Sequence, residues 1–457
     1  MLDQQTLHSL YEGVGSLAYD PVPMLKMVLY QYLKKHSSPA QWHQEAELNE
    51  AMQWLGRGYQ PARRTWYDFR DRVGDVIERL HEQLVQRAIN EQHLDPQVGV
   101  QDGTSVAACA SRHRMVNQDT LEKRRQILSN VIDGSSSDDD EIPKWIPPTP
   151  SGRLELAGRI ETATRILTER IEQNATKRSD KRKDPAKIVV SLSDPEAPLG
   201  LDKLKVYRPL YTVQYMIEPT SNLIMSYCCE AAANDAGTLA PMIDKTQRIV
   251  GNKLQCVIAD AAYCSILDLQ DCRQRNIELL APVQSNSMTE SKKKGRVDRQ
   301  IDRDEFPWDE TDRTYHCPAG HRLDYKGKER KQRHSGRSII QHRYQCSPSH
   351  CQGCELAARC VGNPSRGRTI KRLEGQELLD AQREKMNDED VKCRYQLRGQ
   401  TVERGFADAK GNRCFVRYHG RGLRRARAET GLLVLAQNLL ILDRLERNAV
   451  NPHETKT

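Results

Sequence analysis

Phenylalanine is nearly absent, at 4 of 457 residues, and aromatic residues together make up 5%. Apolar residues reach only 37% and charged residues 29%, so long polar insertions are expected between the stretches that can bury a core. No run attains the roughly 18 apolar residues of a membrane span. The best, Gly431 to Leu442, is broken by Gln437 and Asn438, which excludes a transmembrane helix. Met1 to Leu10 lacks a basic region followed by an apolar one, so no secretory signal is expected. No Gly-x4-Gly-Lys-Ser/Thr loop occurs, which argues against a nucleotide-driven enzyme. The excess of one sign of charge is small, 70 Lys plus Arg against 62 Asp plus Glu, so its location matters more than its size. A disulfide framework is missing too: the 13 cysteines are odd in number, and five crowd between Cys317 and Cys360. A reducing, cytosolic setting fits, and the crowding raises the question of a metal.

The length leaves room for about two to four domains. Residues 1–95 read as a helical domain. Asp20 can cap a helix carrying Leu25, Val28, Leu29 and Leu33, and Val73, Val76, Ile77, Leu80 and Leu84 form a second stripe. Helix, basic turn (Gly56 to Thr65) and helix suit a DNA-end-binding module and a plain bundle equally well. Residues 96–285 read as α/β. A short strand runs from Val98 to Asp102-Gly103, Tyr211 to Ile217 and Leu223 to Glu230 form a hairpin, and Leu254 to Ala259 is a buried strand before Asp260. Strand and helix alternate there, which predicts a mixed sheet flanked by helices. Within this segment, about 105–190 is an insertion with a mobile middle (Gly134 to Glu141) and a basic linker (Lys177 to Lys187). Residues 286–385 are a polar, cysteine-rich insertion opening on Lys292 to Lys294. Residues 386–447 return to helix, and 448–457 are a tail.

Two of these strands end in an aspartate, Asp102 and Asp260. Strand ends face an open crevice in α/β sheets. A third carboxylate, Glu403, lies on a late helix, with Phe406 and Lys410 three and seven residues on. Three hard oxygen donors suit Mg²⁺ or Mn²⁺, and a metal pair serves in-line displacement at phosphodiesters. Taken singly, each acid is ordinary solvent-facing punctuation.

Together the residues resemble a family. Asp102-Gly103-Thr104, Asp260-Ala261-Ala262-Tyr263 and Val402-Glu403 with Lys410 look like the three signatures of bacterial insertion-sequence transposases of the DDE class. Tyr19-Asp20-Pro21-Val22, Ser193-Asp194-Pro195-Glu196-Ala197 and Arg421-Gly422-Leu423 look like the same group. The resemblance implies an RNase H-like core, and the long gaps between its three acids place two insertions within it, the second the cysteine-rich segment. It implies that Asp102, Asp260 and Glu403 hold two Mg²⁺ or Mn²⁺ ions, that Lys410 contacts a phosphate of the element's end, and that Tyr263 packs near the DNA. Activity would be hydrolysis at the element's ends and strand transfer into target DNA, by a homo-oligomer on paired ends at the bacterial nucleoid. Ala262 stands where glycine is common. Four residues, not three, separate Arg398 from Glu403, so the family's Tyr-x2-Arg-x3-Glu pattern is not met and Arg398 is given no role.

Between Asp408 and Glu429 lie seven Lys or Arg and no acid. Of these Lys410, Arg413, Arg417, Arg421 and Arg424, with Arg112 and Arg114 beyond the first aspartate, are candidate phosphate contacts. A solvated charged face is the plainer reading. Cys351-x2-Cys354 has zinc-knuckle spacing, and Cys317 with Cys346 or Cys360 would complete a four-sulfur site, leaving one thiol over. Free thiols are the alternative. A non-catalytic zinc-containing DNA-binding protein, or a transposase that has lost activity, remains as a rival to the enzyme.

Overall fold

The computed structural model describes residues 3–11, 18–134 and 142–284 except 178, 180, 181, 203, 233 and 234, then 301–332 except 302, and 337–450. The Ser/Asp-only stretch after Gly134 and Lys292 to Lys294 lie outside the described residues. The protein is mixed α/β and forms two compact units. The first comprises Met1–Asp235, Pro241–Ile258 and Gln396–Thr457; the second comprises Ala236–Ala240 and Ala259–Tyr395.

The first unit opens with helices α1 (Pro21–Leu33), α2 (Arg63–Val73) and α3 (Ile77–Asn90). Asp20 caps α1 by accepting the Val22 N–H at 2.9 Å, and prolines occupy its first turn. The predicted stripe Val73, Val76, Ile77, Leu80 and Leu84 is buried throughout. Its helix breaks at Gly74 to Val76, where Gly74 leaves room for the Cβ of Ala428, which an added Cβ would meet at 2.7 Å.

Strand β1 (Val98–Ala107) starts the sheet, followed by β2 (Leu199–Leu201), β3 (Tyr207–Ile217), β4 (Ile224–Glu230) and β5 (Cys256–Ile258). Strands β3 and β4 form the predicted hairpin, with Asn222 left-handed at φ 65° and Glu218 accepting the Thr220 and Ser221 N–H groups in the turn. Between β1 and β2, helices α4 (Gln118–Ile132) and α5 (Pro150–Ala175) pack on one another. Leu121, Leu128, Leu156, Ile160 and Leu167 give the insertion a core of its own.

Helix α6 (Glu389–Ala407) leads through a wide turn at Asp408–Asn412 to α7 (Leu423–Val450). Helix α7 packs against α1, α2, α3 and β4, and is buried on nearly every side from Ala426 to Asn438. The two polar residues that interrupt its apolar run both reach partners. Asn438 accepts the Ile224 N–H and donates to the Ile224 carbonyl, each at 2.9 Å, so its amide completes the start of β4. Gln437 donates to Asp408 at 2.8 Å. His81 also donates to the Ile224 carbonyl at 2.8 Å, and burial pushes its imidazole down to about 4, keeping it neutral.

The second unit contains β6 (Glu278–Leu280) and an antiparallel sheet of β7 (Asp324–Gln332), β8 (Ser338–Gln345) and β9 (Thr369–Leu373). The helix Ile266–Gln274 starts with a reciprocal Ser265–Asp268 capping box. The core gathers the scarce aromatics: Trp308, Tyr315 and Tyr344 stand edge to face within 5.6 Å of one another, beside Phe306 and the buried thiols of Cys346, Cys351 and Cys360.

One buried ion pair ties α2 to α7. Glu429, fully buried, accepts from Arg70 at 3.3 Å, the His419 N–H at 2.9 Å and the Gly420 N–H at 2.6 Å. Burial outweighs these donors and pushes its carboxyl from 4.5 up to about 7. A raised carboxyl pKa favours the fold while the group is protonated, and that contribution declines as pH climbs from about 4.5 to 7, by about 3 kcal/mol in all. The stability deficit of Glu429→Gln relative to the parent should therefore shrink across this window, as read by urea titrations at several pH values; a deficit that widens would contradict the burial.

Candidate functional site

Strand β1 has two edges with different neighbours. Along one it pairs antiparallel with β3 from Val100↔Ile217 to Ala107↔Leu210. Along the other it pairs in parallel with β5, but only from Val98↔Cys256 to Val100↔Ile258. That second edge is met again at Ala107, whose N–H donates to the Val416 carbonyl at 3.1 Å and whose carbonyl accepts the Tyr418 N–H at 2.9 Å. Among the described residues no strand pairs with the edge between these two contacts. Lys410 crosses it instead, its ammonium donating to the Ser105 carbonyl at 2.8 Å.

Asp102 lies in this interval. The sequence places it at the end of a strand, whereas β1 continues five residues further. The reason is long-range: β3 goes on pairing after β5 has stopped. Asp102 accepts its own neighbour's N–H, that of Gly103, at 2.8 Å, and Arg398 donates to its other oxygen at 3.1 Å. Both side chains are 22% exposed, so the pair is half-buried yet reachable from solvent. Asp102 is register-paired with Tyr215, and cross-strand partners share a sheet face. The Tyr215 ring stacks on Phe406 of α6 at 4.8 Å between centroids and 16° between planes. Helix α6 therefore covers the face that carries Asp102. Glu403, three residues before Phe406, is exposed on that helix. Arg398, to which the sequence pattern assigned no role, is thus the cation that orients Asp102. The motif spacing hid it because five residues, not four, lead from it to Glu403.

Asp260 follows β5 by two residues and caps a short helical turn, accepting the Ala262 N–H at 2.7 Å. It belongs to the second unit, with Tyr263 buried three residues on.

The basic residues divide into two groups. Arg112, Arg114, Arg208, Arg417 and Arg421 line a single open cavity of about 440 Å³. Arg417 reaches it because the segment Val416 to Tyr418 pairs with the end of β1, just before Arg112 and Arg114. Arg421 reaches it through two motifs that hold each other. Glu196 accepts the Leu423 N–H at 2.9 Å, next to Gly422 in its left-handed conformation at φ 86°. Asp194, fully buried, accepts the Tyr211 hydroxyl at 2.7 Å and is pushed above the usual carboxylate range by burial. Arg208 already pairs with Asp202 at 2.8 Å.

The second group serves protein acceptors. Arg413 bonds Asp408 and the Leu33 carbonyl, Arg424 pairs with Asp75, Arg425 with Asp71, and Arg427 donates to the Cys229 carbonyl. With Lys410 on Ser105, five of the seven cations in this run brace the first unit.

Among the described residues, one group of three His, Cys, Asp or Glu has ligand atoms all within 4.8 Å of one another: Glu91, His93 and Glu446. Arg87 already bridges its two carboxylates at 2.9 and 2.7 Å. The five predicted cysteines, Cys317, Cys346, Cys351, Cys354 and Cys360, line one small cavity within the second unit.

Gly103 keeps the opposite face of β1 clear beside Asp102. A Cβ there would collide with Asp235 and with Gln214, which donates to Asp235 at 2.5 Å. Gly103→Ala should cost about 1–3 kcal/mol in a denaturant melt; an unchanged midpoint would contradict the packing.

Two stretches of the chain match known families. The model described as Transposase DDE domain matches residues 316–442, which include Glu403, Lys410 and all five clustered cysteines. The model described as Transposase domain (DUF772) matches residues 1–72, the helices up to α2. Asp102 and Asp260 fall between the two matches. No curated protein matches the chain significantly. The two matches, one toward each end of the chain, support an insertion-sequence DDE transposase.

Proposed function

We propose that the protein is an active transposase that hydrolyses a phosphodiester at its element's ends and transfers the freed strand into target DNA. Asp102, Asp260 and Glu403 would hold the divalent ions that this family uses, within an RNase H-like core. The donor set fits such ions, since all three are hard carboxylates. When bound, the ions activate the attacking oxygen and stabilise the leaving one.

The observation that carries the reading is the interval on β1. Asp102 stands beside an edge that no strand of the described residues covers, Arg398 orients it, and the helix bearing Glu403 packs on the same face. Asp260 is included as the second acid of the family motif, in Asp260-Ala261-Ala262-Tyr263. Arg398 acts as a positioning residue, since its ion pair holds Asp102 toward the helix. Arg112, Arg114, Arg417 and Arg421 would take backbone phosphates in the basic cavity. Lys410, Arg413 and Arg424 would brace that surface. On this reading the protein works on DNA in the bacterial cytoplasm, as a homo-oligomer holding two ends; no helix of the described residues is long and apolar enough to cross a membrane.

Cleavage of a labelled element end, with Mg²⁺ supplied, tests the proposal. Asp102→Asn should bind the end as the parent does and cut nothing. Arg398→Ala should cut about 10–100-fold more slowly, as expected when a ligand loses its orienting partner. Undiminished cleavage by Asp102→Asn would defeat the assignment, while an inactive parent that still binds would identify a relic. The double change Arg417→Ala and Arg421→Ala should weaken binding and lower the slope of log affinity against log salt by about 2; an unaltered slope would move the phosphates elsewhere.

A further inference from the structure

The second unit has little to hold it together. Every residue of β7 except Gly327 is exposed, and the core beneath this sheet is small. Small cores of this kind commonly need a staple. Five thiols meet at its edge, from separate pieces of chain. Cys317 opens a tight turn in which its N–H donates to the His321 carbonyl at 2.8 Å and the Gly320 N–H donates to its own carbonyl at 2.8 Å. The His321 N–H donates to the Cys317 sulfur at 3.3 Å. Cys346 follows directly on β8, Cys351 lies in the short helix Pro348–Gln352 with Cys354 three residues on, and Cys360 ends the helix Ala357–Cys360.

All five cysteines line one small cavity of about 20 Å³, with Ile301, Leu356 and Val361 among its other walls. A space of that size admits about one water or one ion. All five cysteines are free thiols. The imidazoles of His321 and His350 stack at 4.1 Å over the same cavity. Arg368, 7% exposed, donates to the Cys360 carbonyl at 3.0 Å and brings a buried positive charge to the site. Simple apolar filling explains scattered thiols such as Cys256 or Cys272. It does not explain five sulfurs, two imidazoles and a buried guanidinium around a hole the size of an ion.

We propose that the second unit holds one structural zinc ion, bound by Cys317, Cys346, Cys351 and either Cys354 or Cys360. Four thiolates give the closed tetrahedral site of a structural rather than catalytic zinc. The net double negative charge of such a site is offset by Arg368. Binding releases the ligand protons and draws the sulfurs together, since no three of them lie mutually within 4.8 Å in the ion-free chain. The ion would staple the Cys317 turn and both short helices to the end of β8. The inference stands independently of the DNA chemistry.

Metal analysis of the full-length protein, purified under reducing conditions and offered equimolar Zn²⁺, tests it. The expected content is one zinc per chain, and Co²⁺ in its place should give the visible bands of tetrahedral thiolate coordination. Cys351→Ser should lower the zinc content at least about tenfold, whereas Cys393→Ser, exposed and remote in sequence from the cluster, should leave it unchanged. Should Cys351→Ser fail to fold, Cys354→Ser and Cys360→Ser separate the fourth ligand, one losing zinc and the other keeping it. A parent without zinc, or octahedral cobalt spectra, overturns the proposal, as does full zinc retention in both of these variants.

Discussion

The divided edge of β1 is the constraint on which the candidate site depends. Parallel pairing with β5 ends at Val100, antiparallel pairing with β3 continues to Ala107, and the segment around Arg417 returns to the first edge only at Ala107. Backbone groups left open by this arrangement must find partners. Lys410 supplies one at Ser105, and the wide turn Asp408–Asn412 is what carries it there. Helix α6 lies on the face that carries Asp102, and its Arg398 donates to that carboxylate.

Long-range contacts then fix the rest of the first unit. Helix α7 receives the N-terminal helices through Arg70 and Glu429, and receives β4 through Asn438. The loop between α6 and α7 is pinned from the other side by Asp194 and Glu196. Segments near the start, middle and end of the chain are thereby locked to one another. The basic cavity is a consequence: its arginines come from stretches about 300 residues apart, and this locking makes them neighbours.

Local physics made much of this legible beforehand. The Asp20 cap, the hairpin with its polar turn, the buried stripe of α2 and α3 and the closing helix all follow from periodicity and turn chemistry, and all are present. What escaped was set by distant partners. β1 reads as ending at Asp102 because Gly103 and Thr104 break the local pattern, whereas β3 carries it on. Asn438 reads as an interruption because its partner, Ile224, is 214 positions away. The run of seven cations reads as one phosphate-binding stripe, but charge density along the chain says nothing of the aspartates and carbonyls that claim Arg413, Arg424, Arg425 and Arg427. Arg398 was discounted for a one-residue departure in spacing, a criterion that registers a motif but not a 3.1 Å ion pair.

The central claim is that three acids, remote in sequence, share divalent ions. Anomalous diffraction from crystals of the full-length protein grown with Mn²⁺ tests it most directly. Manganese peaks in contact with the carboxylates of Asp102, Asp260 and Glu403 are the predicted result. Peaks elsewhere, with none of the three carboxylates in contact with an ion, would contradict it.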